Sequence, residues 1–525
     1  MSTTIAPHIL ESLRNPSAYP VATGTVELIQ THVSWLFLTD TYVYKLKKPV
    51  NFGFLDFSTR ELRHFYCHEE LRLNRRLCPD IYERVIALHQ TTQGASFAGE
   101  GPIIDYAVMM KRLPANRMLE RLVDSNTIFE EDIKIVARTI SEFHSEAATS
   151  SYISEYGSLQ QVLFNWQENF EQTRPFLAST LPPGVSSTIR SYVDSFAATH
   201  LSLFSERIER GYIRECDGDI HLGNICLMDN KAYIFDCIEF NERFRFSDTA
   251  ADIAFLLMDL DFHGRPDLAE AALSEYIKDS GDAGCVALIP FYKVYRAFVR
   301  GKVESLQLSD AGIDLTVRDM IQKRAVRYFR LAQGYCLREN LPLTLFITCG
   351  TMGCGKSTLA AQLAFELGLP LYNSDIIRKK AAGLQPETAV QVSFGEGLYS
   401  TEMNRRTYRG LEQLAEMELT NGHSVILDAA FGNSAERAVI AKLAASHNAA
   451  CVILSIRCNR EEQRLRLLRR LSKGNHVSDG RIELLDQQEQ TFQPPVEPEN
   501  SIELVSTRGS SDQMVDTLYS RLFPS

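Results

Sequence analysis

A chain of 525 residues exceeds the ~250–300 at which single cores stop growing, so more than one domain is expected. With 45% hydrophobic and 23% charged residues each half can bury a sizeable core, and a formal net charge of -11 argues against a broad electrostatic footprint for nucleic acid or anionic membrane. No apolar run approaches the ~18–20 residues that span a bilayer, because Asp252, Asp259 and Asp261 bracket the run Ala254–Met258.

The first 115 residues read as strand-rich. Ser34–Thr39 and Thr41–Leu46 are β-branched and aromatic runs parted by Asp40, a hairpin pattern. A charged helical stretch follows at Arg60–Leu77, then strands at Val85–His89 and Tyr106–Leu113, the latter stopped by Pro114. From Asn116 to Asn340 the periodicity is mostly helical, over Ile128–Glu146, Leu159–Arg174 and Ile189–Arg210 among others. Ile220–Phe240 interrupts it as a strand–turn–strand insert carrying polar residues.

Asn340-Leu341-Pro342 marks a boundary. Beyond it strands and helices alternate, with strands expected at Leu343–Gly350, Pro370–Ser374, Ser424–Ala429, Cys451–Arg457 and Ile502–Ser506. Continuous apolar runs of this kind suit parallel strands buried on both faces, so a doubly wound α/β domain over 341–525 is expected. The first strand feeds Gly350-Thr351-Met352-Gly353-Cys354-Gly355-Lys356-Ser357, which fits the phosphate-cradling P-loop. Its glycines (Gly350, Gly353, Gly355) let backbone N–H groups close around phosphate oxygens. A helix then opens at Lys356-Ser357-Thr358 and adds its N-terminal partial charge. Lys356 is expected to reach the β- and γ-phosphates of ATP, and the Ser357 hydroxyl to ligate Mg2+.

The 11 cysteines are scattered without a C-x-x-C pair and read as buried reduced thiols. The opening Met1–Ile5 lacks the basic and apolar regions of a signal peptide. A cytoplasmic protein is the expectation.

Two resemblances sharpen this reading. Asp217-Gly218-Asp219-Ile220-His221-Leu222-Gly223-Asn224, with Asp236 one strand later, resembles the catalytic loop of the aminoglycoside phosphotransferase family and its choline- and fructosamine-kinase-like relatives. The likeness covers roughly residues 30–335. It implies an α+β kinase-like bilobal fold over 1–340, with a small lobe to about 115 and a large helical lobe to 340. It also implies Asp219 facing the acceptor hydroxyl, Asn224 and Asp236 on Mg2+, and His221 bracing the loop. Asp248 and Asp252 resemble positions that brace it too, and Glu239 lies near the metal on this likeness. Lys45 is the candidate phosphate-pairing lysine with Lys47 as runner-up, and Glu70 the helix partner with Glu69 nearly as good. Tyr106–Leu113 would supply the adenine hinge. Asp217 stands where the family usually has His.

The region after 341 resembles small P-loop kinases of the nucleoside-monophosphate-kinase type, with gluconate-kinase-like, polynucleotide-kinase-like and zeta-toxin-like branches. Asn373-Ser374-Asp375-Ile376-Ile377-Arg378 and Ile426-Leu427-Asp428-Ala429-Ala430-Phe431 carry the likeness, together with the arginine-rich stretch Arg464–Arg470, followed by Gly474 and Ser478-Asp479. It implies Asp375 as the hydroxyl-facing carboxylate, Arg378 steadying substrate or phosphate, Asp428 near Mg2+, and a lid whose arginines, Arg469 among them, close over phosphate. Ala430 replaces the usual Thr.

Together these imply a bifunctional ATP-dependent phosphotransferase acting on small-molecule hydroxyls. Two alternatives stay open: one module is a silent nucleotide sensor, or the P-loop module phosphorylates a polynucleotide 5′ end.

Overall fold

A computed structural model of the chain describes residues 5–309, 312–385, 397–473, 482–506 and 511–523. It divides into two compact units, Met1–Ala332 and Gln333–Ser525.

The N-terminal unit begins with six strands: β1 (Glu27–Gln30), β2 (Ser34–Leu38), β3 (Tyr42–Lys47), β4 (Tyr82–Thr91), β5 (Gly94–Ser96) and β6 (Ile103–Lys111). They pair antiparallel in the order β1-β2-β3-β6-β4-β5. Side chains alternate along β3, as the strand period requires. Tyr44 and Leu46 enter an aromatic core with Tyr19, Phe37 and Phe97. Val43 faces the other way, onto Cys67 of the helix Arg60–Asn74 and Val108 of β6. That helix is N-capped by Thr59, whose hydroxyl accepts from the Leu62 N–H at 3.2 Å. It is anchored to the sheet by the buried Arg63, which forks onto Asp105 at 2.8–3.1 Å.

The large lobe is helical. Its centre is the helix Thr249–Phe262, buried at every position. This is the apolar run bracketed by aspartates, and an all-round apolar helix belongs in a core. No described helix is long and apolar enough to cross a membrane. The expected helix Ile189–Arg210 is instead two, Pro183–Thr199 and Leu201–Glu209. The break is at His200, which leaves helical dihedrals (φ -122°, ψ 25°) while its ring stacks on Phe196 at 4.2 Å. Four short strands complete the lobe. β7 (Ile213–Glu215) pairs with β10 (Phe246–Asp248), and β8 (Ile225–Met228) with β9 (Lys231–Ile234). The β8–β9 turn is Asp229-Asn230, both at positive φ (51° and 57°), the conformation a two-residue hairpin loop demands.

The C-terminal unit holds β11 (Thr344–Cys349), β12 (Leu371–Asn373), β13 (Val425–Asp428), β14 (Ala450–Cys458) and β15 (Ser501–Ser506). All pairs are parallel, in the order β12-β13-β11-β14-β15. Helices cover both faces. Lys356–Leu367 and Asp512–Leu522 pack on one, Thr401–Thr420 and Ser434–Ser446 on the other. The helix following β11 and the helix following β13 therefore lie on opposite faces of adjacent strands. That is the switch point at which open α/β sheets bind ligands. Leu337, near the end of the helix Leu315–Arg338, packs into this unit's core with Phe346, Leu359 and Leu363.

All eleven cysteines are free, and all but Cys451 and Cys458 are buried.

Candidate functional sites

In the N-terminal unit the strand period places Lys45 and Lys47 on one face of β3, and both meet the fully buried Glu70. Lys45 Nζ lies 2.9 Å from Glu70 Oε1 and also pairs with Asp236. Lys47 Nζ lies 2.6 Å from Glu70 Oε2 and also pairs with Glu239. Glu69 instead points out to Arg72, 2.9 Å away. Glu70 is thus the helix carboxylate, and the two lysines share it. Burial alone would raise Glu70, but the ammonium groups of Lys45 and Lys47 outweigh it and hold the carboxyl at about 2. Burial likewise works against Lys45's charge, yet Asp236 and Glu70 keep it well above the usual lysine range.

The loop 217–224 is tied down from the central helix. The Asp217 and Gly218 N–H groups both donate to Asp252, each at 2.9 Å, and the Leu222 N–H donates to Asp259 at 2.9 Å. Arg296 donates to the Gly218 carbonyl at 2.9 Å. Gly218 has φ 89°, and a Cβ there would sit 2.8 Å from the Phe244 carbonyl oxygen. Asp248 does not touch the loop. Its carboxylate takes Arg207 and caps the central helix through the Ala250 N–H at 2.8 Å, so it braces the element that carries Asp252. Asp259 and Arg296 escaped sequence reading, since nothing near them in the chain signals the loop they hold.

Asn224 Nδ2 donates to Asp219 Oδ2 at 2.9 Å, which leaves its own oxygen facing away from that bond. His221 Nδ1 accepts from the Gly223 N–H at 3.1 Å, so a neutral ring carries its proton on Nε2, 3.7 Å from Asp219. Burial drives His221 down to about 3, which keeps the ring neutral. Asp219 is pushed up to about 6, chiefly by burial, then by Asp236, with Arg300, Arg296 and Asn224 pulling the other way. Asp236 follows β9 in a left-handed conformation (φ 68°), with 46% of its side chain open. Lys45, Asp219 and Asp236 all line one cavity of about 410 Å³.

In the C-terminal unit the loop after β11 turns on Gly350, Gly353 and Gly355, at φ 152°, 76° and 107°. A Cβ on Gly350 would meet the Ile456 carbonyl oxygen at 2.7 Å, and one on Gly355 the Ser506 hydroxyl at 2.9 Å. Lys356 Nζ donates back to the Thr351 carbonyl at 2.9 Å. Ser357 and Thr358 are exposed at the helix start. Across the switch point Asp428 is buried and held at both oxygens, by Thr348 Oγ1 at 3.1 Å and Asn373 Nδ2 at 2.6 Å. Asn373 Oδ1 at the same time caps the helix Ser374–Ala381, accepting from the Asp375 and Ile376 N–H groups at 2.9 and 3.2 Å. Asp375 is paired with Arg378 three residues on.

The P-loop is also clasped from the far end of the chain. Gln463 Nε2 donates to Thr351 Oγ1 at 2.8 Å, and Gln488 Oε1 accepts from the Met352 N–H at 2.7 Å. Arg466 donates to the Ser506 hydroxyl at 2.9 Å and to the Cys354 carbonyl at 3.4 Å. One arginine of the expected lid therefore supports the loop from beneath. Arg469 is exposed on the helix Arg460–Lys473, while Gly474 and Ser478-Asp479 lie outside the described residues.

Residues 345–495 match the family described as AAA domain (AAA_33). The whole chain is 30% identical over 443 residues to Uncharacterized protein Rv2004c of Mycobacterium tuberculosis, an alignment covering 84% of this chain and 85% of that one. The chain belongs to the family of that protein. Solved structures similar to parts of it include a choline/ethanolamine kinase family protein from Mesorhizobium loti (11% identity, TM-score 0.38), which covers 62% of this chain and 98% of that one. A putative kinase from Chloroflexus aurantiacus (18% identity, TM-score 0.29) covers 35% of this chain and 100% of that one. Family membership thus extends across both units, and the P-loop unit is the part that carries the AAA domain.

Proposed function

We propose that each unit transfers the γ-phosphoryl group of ATP to a hydroxyl of a small molecule. The observation that carries this is the shared surface of Lys45, Asp219 and Asp236 in one cavity of the N-terminal unit. The Asp236 carboxylate and the Asn224 amide oxygen are hard donors of the kind Mg2+ takes beside phosphates. In the C-terminal unit the glycine turn, where a Cβ would collide with neighbouring backbone, and the Ser357 hydroxyl and Asp428 opposite it suit a magnesium nucleotide. Mg2+ at either site would supply charge neutralisation for the transferred group.

The chain's own residues do the rest. Asp219 accepts the proton of the acceptor hydroxyl, and its pKa near 6 leaves it ionised yet basic at neutral pH. Asn224 orients that carboxylate through its 2.9 Å bond. Lys45, held by Glu70, balances phosphate charge. In the second unit Lys356 and the loop N–H groups bind phosphate, and Asp375 is the hydroxyl-facing carboxylate. The Asp375–Arg378 pair favours a second reading for this unit alone, a nucleotide sensor whose carboxylate stays engaged.

The test is phosphorus NMR of ATP turnover with a small-molecule extract, on the wild type, Asp219→Ala and Lys356→Ala. Two phosphoesters are expected, each lost from a different variant, with ~10²–10⁴-fold slower turnover in Asp219→Ala. One phosphoester that persists in Lys356→Ala would leave the C-terminal unit as a sensor. No acceptor-dependent product at all would end the proposal.

A further inference from the structure

Between β9 and the helix Glu242–Arg245 the chain has no regular structure, and Asp236 and Glu239 both lie in that stretch. Partners outside the stretch set its place. The Asp236 N–H donates to the Tyr82 hydroxyl at 3.3 Å, the Cys237 N–H to Asn74 Oδ1 at 3.0 Å, and the Ile238 N–H to the Asp217 carbonyl at 3.2 Å. Two of its side chains add ion pairs, Asp236 with Lys45 and Glu239 with Lys47. Both lysines return to Glu70, so five groups run as one chain, Asp236–Lys45–Glu70–Lys47–Glu239.

The two halves of that chain differ in what they can do. Lys45 lines the cavity, and 11% of its side chain is exposed. Lys47 has none of its side chain exposed, and its ammonium lies 4.7 Å from the centre of the Phe57 ring. On the phosphotransfer reading Lys45 turns to phosphate and Asp236 to Mg2+, so their own ion pair is given up when the nucleotide binds. Lys47 has no such second partner in the cavity, since a sealed ammonium cannot reach a phosphate without leaving both of its carboxylates. Its pair with Glu239 therefore persists, and it ties the Asp236 stretch to β3 and to the helix Arg60–Asn74. Glu239 is itself 8% exposed and engaged by that ammonium.

We propose that Lys47 is a positioning residue of the N-terminal unit: through Glu239 it holds the backbone that presents Asp236 to Mg2+, and Glu239 is its anchor rather than a metal ligand. This rests on the phosphotransferase reading of the same cavity. Groups behind a metal ligand fix its direction, and losing one typically costs ~10–100-fold in metal affinity.

The experiment uses the full chain bearing Lys356→Ala, saturated with the non-hydrolysable ATP analogue AMP-PNP. Mn2+ stands in for Mg2+, and free Mn2+ is read by electron paramagnetic resonance. Binding lost on Asp236→Asn marks the N-terminal site. Lys47→Met and Glu239→Ala are each expected to weaken that binding ~10–100-fold. Glu239→Gln, whose amide oxygen still accepts from the Lys47 ammonium, is expected to stay within about threefold of the parent. A pair that serves stability alone lowers the thermal midpoint but leaves the folded chain's Mn2+ affinity at the parent value, and that result overturns the inference. So does a loss in Glu239→Gln as large as in Asp236→Asn, which would make Glu239 a ligand. Where Lys47→Met fails to fold, the contrast between Glu239→Ala and Glu239→Gln decides. If Asp236→Asn removes no nucleotide-dependent Mn2+ site, the phosphotransfer reading beneath the proposal falls instead.

Discussion

Glu70 sits between two ammonium groups, and that sharing sets its worth. Glu70→Gln leaves Lys45 and Lys47 each with one carboxylate, so a loss of ~1–3 kcal/mol is expected in urea unfolding of the N-terminal unit. Glu69→Gln, which touches only the half-exposed Arg72, should cost ~0–1 kcal/mol. The sign with pH follows from the depressed value. Folding favours the ionised form, so Glu70's contribution is complete above its ordinary 4.5 and is lost as pH falls toward about 2. The Glu70→Gln chain should therefore show a shallower acid loss over that window. Asp219 gives a second pH signature. On the role proposed for it, Asp219 is a base raised to about 6 that is inactive when protonated, so kcat/KM of the proposed N-terminal activity should rise through pH 6 and level off above 7. Arg300 pulls that value down, so Arg300→Met should move the limb to higher pH; an unmoved limb would detach it from Asp219. Sequence alone could not separate Lys45 from Lys47 because a strand's period of two puts both on one face. Nor could it separate Glu69 from Glu70, since only the helix's seating against β3 turns one of them inward.

Elements with a strong pattern were legible and those held by distant partners were not. The buried parallel strands β11 and β13 and the hairpin β2–β3 follow from apolar runs and turn residues in the chain itself. By contrast β1, mostly exposed at a sheet edge, is held by backbone pairing to β2 and turns only Leu28, beside Val26, to the core, too short a pattern to stand out. The helix break at His200 falls inside an unbroken amphipathic pattern. Gln463 and Gln488 reach the P-loop from more than a hundred residues away, and glutamine carries no motif of its own. The P-loop's geometry is more demanding than its sequence pattern states. At Gly350 a methyl group would enter the Ile456 carbonyl at 2.7 Å. Gly350→Ala should destabilise the C-terminal unit by ~1–3 kcal/mol and weaken nucleotide binding, read by thermal unfolding with and without ATP. An unshifted transition would mean that the turn relaxes freely.

At the scale of the whole molecule the division between units falls at Ala332–Gln333, within the helix Leu315–Arg338 and upstream of the Asn340-Leu341-Pro342 signal. Leu337 packs into the C-terminal core, and Gly334 approaches the Glu366 carbonyl so closely that a Cβ would sit 1.7 Å from its oxygen. A fragment 333–525 is therefore expected to unfold at higher urea than 341–525, because the shorter piece loses a buried leucine worth ~2–5 kcal/mol. Equal midpoints would show that the helix end is dispensable to that unit.

The burial of the thiols has a practical corollary. Cys67, Cys78, Cys216, Cys226, Cys237 and Cys285 fall in one unit, and Cys336, Cys349, Cys354, Cys451 and Cys458 in the other. Cys451 and Cys458 are the two cysteines that are not buried, so alkylation of the others is expected to wait largely for the fold to open. Timed alkylation read by peptide mass spectrometry would therefore act as two separate clocks in one polypeptide. Cys354, shut inside the nucleotide loop at 1% exposure, would be the hand that a bound phosphate stops.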